Sequence, residues 1–301
     1  MPTDRRVAER SGADRPKTDW KARVPVSPAF ERIQRDPGRL VLHAHDIETL
    51  PVFEWEEDGV QQNAFGDEVA VDVPDDAARI DLQLYNFPTC QLRKIYFPPR
   101  TRTPWHANHD DIILYSIDAH QVEFVGTQSF HARPGDATLH PVGVEHHSET
   151  LVPGWRLEFA FAAQTGKCGR DLIALPGTGM IWHDVAEWVE QGQRRYTIGF
   201  GHSTHAQRYR MRMFHFPVYS LFECRYPRGQ SIALHSNASE RLLYVLEGRL
   251  RITTDTVTDE LVPGSMARLA AGKAFAREAL EDSFTIEVDG FCSPPPYPRA
   301  G

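Results

Sequence analysis

Along residues 82–160, and again along 211–289, short runs rich in Val, Ile, Leu, Tyr and Phe alternate with polar positions. Pro or Gly breaks them at intervals of about ten residues. This is the pattern of strands in an all-β sandwich or barrel. Residues 243–253 (LYVLEGRLRIT) read as two strands turning near Gly248. A helical period is confined to about 184–191 (DVAEWVEQ), between the two blocks.

The two blocks are copies of one unit. LQLYNFP at 82–88 matches MRMFHFP at 211–217, and the shift of 129 positions then holds without a gap. His106 falls on His235, Asn108 on Asn237, Asp111 on Glu240 and Tyr115 on Tyr244. Pro134-Gly135 falls on Pro263-Gly264, Gly143 on Gly272 and Glu158 on Glu287. The repeat divides the chain into a disordered polar tail (1–25), a first barrel (26–165), a linker with a short helix (166–195) and a second barrel (196–301).

Composition narrows the function classes. The 301 residues are 41% hydrophobic and 25% charged, which is globular, and no apolar run approaches the roughly 20 residues needed to span a bilayer. A net charge of −8 offers no cationic field for nucleic acid, and the basic residues of the tail are interleaved with acids. The first residues lack the apolar stretch of a secretory signal, so the expected location is cytoplasmic, with neither membrane nor nucleic acid as a partner. Cys90, Cys168, Cys224 and Cys292 are spread singly, which argues for buried thiols rather than a disulfide framework or a zinc knot.

The residues H-x-N-x-x-[DE] followed by YxI or YVLEG, then PGD or PGS, then PxGxxH at 141–146, resemble the two motifs of the cupin superfamily. The likeness covers nearly all of 82–160 and 211–289, with Asn108 where the family has a second histidine and the acid about a residue closer than usual. It implies tandem cupin barrels, that is, double-stranded β-helix or jelly-roll sheets, with a metal held by the motif residues. Comparing the copies then points to where chemistry sits. His146 of the first unit is Phe275 in the second, His140 is Leu269, and Arg93 is Phe222. Phe222, Cys224 and Tyr226 alternate with Glu223 and Arg225, so Arg93 should face the first barrel's interior beside Ile95 and Phe97. An interior guanidinium needs a partner, either a substrate carboxylate or an acid such as Glu123. The expectation is a first barrel with a polar site and a second filled with hydrocarbon.

Two imidazoles and a carboxylate, His106, His146 and Asp111, form a set that suits non-haem Fe(II), with Asn108 adding an amide oxygen. His109 and Asp110 compete for places, because a turn after Asn108 would reset the alternation. His140 is expected to orient a ligand through a hydrogen bond, and Trp105, Tyr115 and Phe159 to be core. The resemblance to two-barrel cupins such as gentisate and 1-hydroxy-2-naphthoate dioxygenases, or the large subunit of two-component hydroquinone dioxygenases, implies an Fe(II) dioxygenase. It would act with dioxygen on a small hydroxylated aromatic, with Arg93 anchoring a carboxylate. It also implies a homo-oligomer, with a small second subunit if the hydroquinone enzymes are the true kin. The rival readings are a Zn- or Mn-dependent sugar-acid isomerase and a non-catalytic binding protein.

Overall fold

The computed structural model describes residues 41–58, 60–65, 73–87, 90–108, 111–160, 189–191, 209–216, 219–237 and 239–290. The tail over 1–25, His109, Asp110, Cys168 and Cys292 lie outside the described residues.

The described chain is antiparallel β-structure with one 3-10 turn, Ala44–Asp46, and no α-helix. No helix among the described residues is long and apolar enough to cross a membrane. Each unit supplies one large sheet and one small one. The first large sheet runs in the order Ala137–His140, Ile112–Ser116, Gly154–Ala160, Gln91–Phe97, Ala78–Asn86, Thr49–Glu57 and Val60–Phe65. The second runs Val41–Leu42, Met266–Leu269, Glu240–Glu247, Ser283–Gly290, Tyr219–Tyr226, Tyr209–His215 and Val189–Gln191. The small sheets are His106–Ala107, Glu145–Val152, His120–Val125 and Gln128–Ala132, then Ser231–Ser236, Ala274–Ala279, Leu250–Thr254 and Thr258–Leu261.

The repeat is therefore topological as well as sequential, and it extends to single hydrogen bonds. Gly143 N–H donates to Asn108 O at 3.0 Å, and Gly272 N–H to Asn237 O at 2.8 Å. Gly135 N–H donates to Ser116 O at 2.8 Å, and Gly264 N–H to Val245 O at 2.9 Å. The Pro-Gly turns need glycine because φ is +83° at Gly135 and +86° at Gly264, a region where a side chain is strained.

Two expectations about the linking segments change. Val189–Gln191, read as the end of a helix, is a strand paired with Tyr209–Met211, and residues 184–188 lie outside the described residues. Tertiary pairing with a sheet edge overrides a short helical period. Val41–Leu42, counted in the first barrel, pairs instead with Met266–Ala267 of the second.

The strands alternate between two apolar surroundings. On one face of the large sheets, Tyr85, Leu92 and Phe159 of the first unit join Phe216, Leu221 and Tyr244 of the second in one core between the barrels. The rings of Tyr85 and Tyr244 meet edge-on at 5.8 Å. Tyr115 OH donates to Glu223 Oε1 at 2.7 Å across the same seam. The other faces look into the barrels, with Val52, Ile80, Leu82, Ile95 and Phe97 in the first. Phe222, Cys224, Tyr226 and Phe275 lie in the second. Cys90 and Cys224 are buried as expected.

The second interior is not hydrocarbon alone. Arg241, Arg277, Glu287 and Asp289 are all buried within it. Arg241 Nε and Nη2 bond both oxygens of Asp289, at 2.5 and 2.7 Å, and its Nη1 reaches Glu287 Oε2 at 3.1 Å. Arg277 Nη1 donates to Glu287 Oε1 at 2.6 Å, and Tyr226 OH and Thr285 Oγ1 donate to the same oxygen. The expectation of a hydrocarbon filling missed these ions, because Glu287 alone among the four stands opposite a charge of the first copy.

Candidate metal centre

His106 ends up beside His146 because their short strands pair antiparallel with these two residues in register. The rings lie 4.3 Å apart between centroids. Each ring is braced by a carbonyl two residues earlier in the chain. His106 Nδ1 lies 3.0 Å from Pro104 O, and His146 Nδ1 2.8 Å from Val144 O. A carbonyl only accepts, so each Nδ1 carries the hydrogen and each Nε2 keeps its lone pair, which is how metal-binding imidazoles are held. Burial pushes the His106 pKa down and the His146 pKa well down, the latter helped by the neighbouring His140 and His106 rings. Both are neutral near pH 7, as ligation requires.

Asn108 follows two residues after His106, and its Nδ2 lies 3.1 Å from His146 Nε2. Turned over, the same amide would offer Oδ1 to an ion on the two imidazoles. His140 comes from the end of its strand to lie 4.3 Å, ring to ring, from His146. Its Nε2 stands 3.3 Å from Glu123 Oε2, close but poorly aligned for a hydrogen bond.

Asp111 does not join them. Its Oδ1 accepts the Val142 N–H at 2.8 Å and its Oδ2 the Tyr219 hydroxyl at 3.2 Å, so this buried carboxylate ties a loop and the other barrel together. The strand beginning at Ile112 carries it toward the seam. Among the described residues no three His, Cys, Asp or Glu side chains form a metal-holding group. The donors that fit a divalent ion are thus His106 and His146 through Nε2 and Asn108 through its amide, with further positions left for small molecules. His109 and Asp110, the competitors, are outside the described residues.

Around these donors lies a network only partly foreseen. Arg93 pairs with Glu158 at 3.8 Å and donates through Nε to Gln91 at 2.7 Å. It is 31% exposed, so it sits at the rim rather than deep inside. Glu123 is held instead by Arg156 Nη1 at 2.5 Å and by Ser148 Oγ at 2.7 Å, while Arg156 Nη2 donates to Glu158 at 2.7 Å. Burial alone would raise the Glu123 pKa, but Arg156, with His140 and Ser148, overrules it and holds the carboxylate at about 2. Glu54 goes the other way. Burial first and the Glu158 charge second lift it to about 7, against the pull of Arg93 and Arg156.

Glu54 and Arg156 were missed. Glu54 precedes the repeated block and has no partner at the 129 shift, while Arg156 stands opposite an ordinary Thr285. Glu123, expected as an interior acid for Arg93, is interior but pairs with Arg156; it is a charge at an inward position of a strand whose residues are alternately buried, where the sister copy has Ile252. Trp105 packs against His147, and Tyr115 and Phe159 are core.

No family model matches the chain, and no curated protein matches it in sequence. Solved structures do resemble it. AerE from Microcystis aeruginosa is 14% identical with a TM-score of 0.56, over 73% of this chain and 95% of that one. Oxalate decarboxylase from Bacillus subtilis is 12% identical with a TM-score of 0.55, over 85% of this chain and 77% of that one. At such identities the likeness is one of fold, and the fold that this chain shares with them is the all-β jelly-roll of the cupin barrels.

Proposed function

We propose that the chain is a metal-dependent enzyme of the first barrel, an Fe(II) dioxygenase acting on a small hydroxylated aromatic that carries a carboxylate. The observation that supports this most is the pair of braced, neutral imidazoles, His106 and His146, with the guanidinium groups of Arg93 and Arg156 close by. Ferrous ion bound there would supply a meeting place for dioxygen and the electron-rich ring. His106, His146 and Asn108 would hold it. Arg93, whose 3.8 Å contact to Glu158 leaves its charge incompletely matched at the rim, would draw in and orient the substrate carboxylate. His140 would take up the proton of the substrate hydroxyl, and Glu123 beside it would stabilise the resulting imidazolium.

A Zn- or Mn-dependent sugar-acid isomerase is the second reading, favoured by Glu54, a carboxyl held near neutrality as a general base would be. Oxygen consumption separates the two. Protein loaded with Fe(II) should consume dioxygen with hydroxylated aromatic acids, and His146→Phe should lose both this and its metal equivalent while folding normally. An oxygen trace that stays flat across such acids with full iron loading rejects the dioxygenase. Full metal retention in His146→Phe rejects the site. Arg93→Leu should raise KM for carboxylated substrates far more than it lowers kcat.

A further inference from the structure

A second cluster of metal-ligating side chains lies on the outside of the first barrel, away from the site above. His120 and His131 are diagonal neighbours on the paired strands His120–Val125 and Gln128–Ala132, where His131 stands opposite Val122, with His120 Nε2 3.0 Å from His131 Nδ1 and ring centroids 5.2 Å apart. His131 is exposed and His120 half-buried.

The sister barrel shows what these two positions carry ordinarily. At the 129 shift they are Arg249 and Glu260, a surface ion pair at 3.5 Å. That pair is part of a charged mesh with Arg251, Glu278 and Glu281. In the first barrel Arg251 is replaced by Val122, and Glu149, opposite Glu278, is engaged by Arg102 at 3.1 Å. The mesh is gone, and two imidazoles stand where the cation and anion of the sister copy stand.

We infer that His120 and His131 form a second, surface site for a borderline divalent transition ion, of the class of Cu(II), Ni(II) or Zn(II). Two nitrogens bound at about 2.1 Å to one ion at a right angle are about 3 Å apart. The observed 3.0 Å is therefore already the bite of a cis-chelate. Because His131 is exposed and His120 half-buried, a modest rotation of each ring turns the two lone pairs toward a common point on the solvent side, where water completes the shell. Burial and the neighbouring His131 and Arg133 lower the His120 pKa, so the ion need not displace a proton from it near pH 7. With no third His, Cys, Asp or Glu grouped with them among the described residues, the site binds reversibly and exchanges freely, unlike the interior one.

The test uses the full chain, with Ni(II) followed by calorimetry and Cu(II) by electron paramagnetic resonance. The double substitution His120→Arg with His131→Glu installs the sister copy's own pair and so keeps the sheet intact. It should lose one equivalent of Ni(II) and the Cu(II) signal of two equatorial nitrogens. His131→Gln alone should weaken that equivalent roughly tenfold or more, since the chelate is broken. His146→Phe, which removes the proposed interior site, should leave it unchanged, so the two sites fail independently. An unaltered stoichiometry and affinity in the double variant would overturn the inference, as would a signal lost only with His146→Phe.

Discussion

The two barrels keep a carboxylate at one matching interior position and neutralise it differently. Glu158 and Glu287 occupy matching positions, yet Glu158 is met by Arg156 two residues earlier on its own strand and by Arg93 from the next. Glu287 is met by Arg277 from the small sheet and Arg241 from the strand at its other side. None of these arginines has a charged counterpart in the other copy: Arg156 faces Thr285, Arg93 Phe222, Arg277 Ser148 and Arg241 Ile112. A charge inside a barrel is costly enough that each copy had to pair it, and cheap to pair from any inward position. What separates the copies is closure. In the second, two acids and two guanidiniums balance, all almost wholly buried. In the first, Glu54, Glu123 and Glu158 outnumber Arg93 and Arg156, one pair reaches the rim, and three imidazoles line the gap.

The largest effect should come from Arg156. Replacing it by Met removes the closest cation from both acids, leaving Glu123 to Ser148 and His140 and Glu158 to Arg93 at 3.8 Å, and the expected loss is about 3–5 kcal/mol. Arg277→Met should cost roughly half as much, because Glu287 retains Arg241, Tyr226 and Thr285. Urea unfolding of the two variants compares them directly. Equal losses would mean that the second network does not share its load as drawn, and the contrast in closure would lose its energetic side.

The fold, and half of the candidate site, were legible in the sequence for one reason, which is that the repeat makes each position its own control. The 129 shift located His106, Asn108 and His146, and the substitutions at Phe275, Leu269 and Phe222 marked which barrel to watch. The repeat says nothing of a residue that has no match across the copies, nor of which partners a matched residue takes. Asp111 looked like a ligand because it stands at the acid of the motif and completes a set of two imidazoles and a carboxylate, whereas its oxygens serve Val142 and the seam residue Tyr219. Arg241 and Arg277 were invisible because strand alternation marks a position as inward without saying which inward charges will find one another. Val41–Leu42 crosses to the other barrel through backbone pairing, which side-chain pattern does not encode.

The surplus carboxyl of the first barrel should show in the pH dependence of stability. Glu54 is raised from 4.5 to about 7, so the folded chain binds more protons there than the unfolded chain between these values. Stability is then greatest below about pH 4.5 as far as this group is concerned, and declines as pH rises to 7, by about 1–3 kcal/mol once partial solvent contact is allowed for. Glu123 and Glu287, lowered to about 2, act oppositely, stabilising above pH 4.5 and losing that contribution as pH falls toward 2. Glu54→Gln should therefore remove the decline between pH 4.5 and 7 while leaving the acid limb in place, read as melting temperature across pH. If the decline persists in the variant, the titrating group lies elsewhere and the first barrel's charge excess is compensated.

The smallest effect tests whether the second barrel is truly sealed. In the first copy the Asn108 amide lies against His146 Nε2, but position 275 is Phe, and Asn237 Nδ2, Asn237 Oδ1 and His235 Nε2 are buried with no hydrogen-bond partner among the described residues. The His235 ring is still braced by Ala233 O at 2.8 Å, and lies 4.4 Å from the Phe275 ring. A buried amide that has lost its partner costs about 1–3 kcal/mol, and the turn does not need it, because Gly272 bonds the backbone oxygen of Asn237 rather than its side chain. Asn237→Leu should then be neutral or stabilising by about 1 kcal/mol, whereas Asn108→Leu should weaken metal binding in the first barrel. A clear loss of stability in Asn237→Leu would mean that the amide is satisfied by something bound inside the second barrel, and the copy read here as closed would be a second open site.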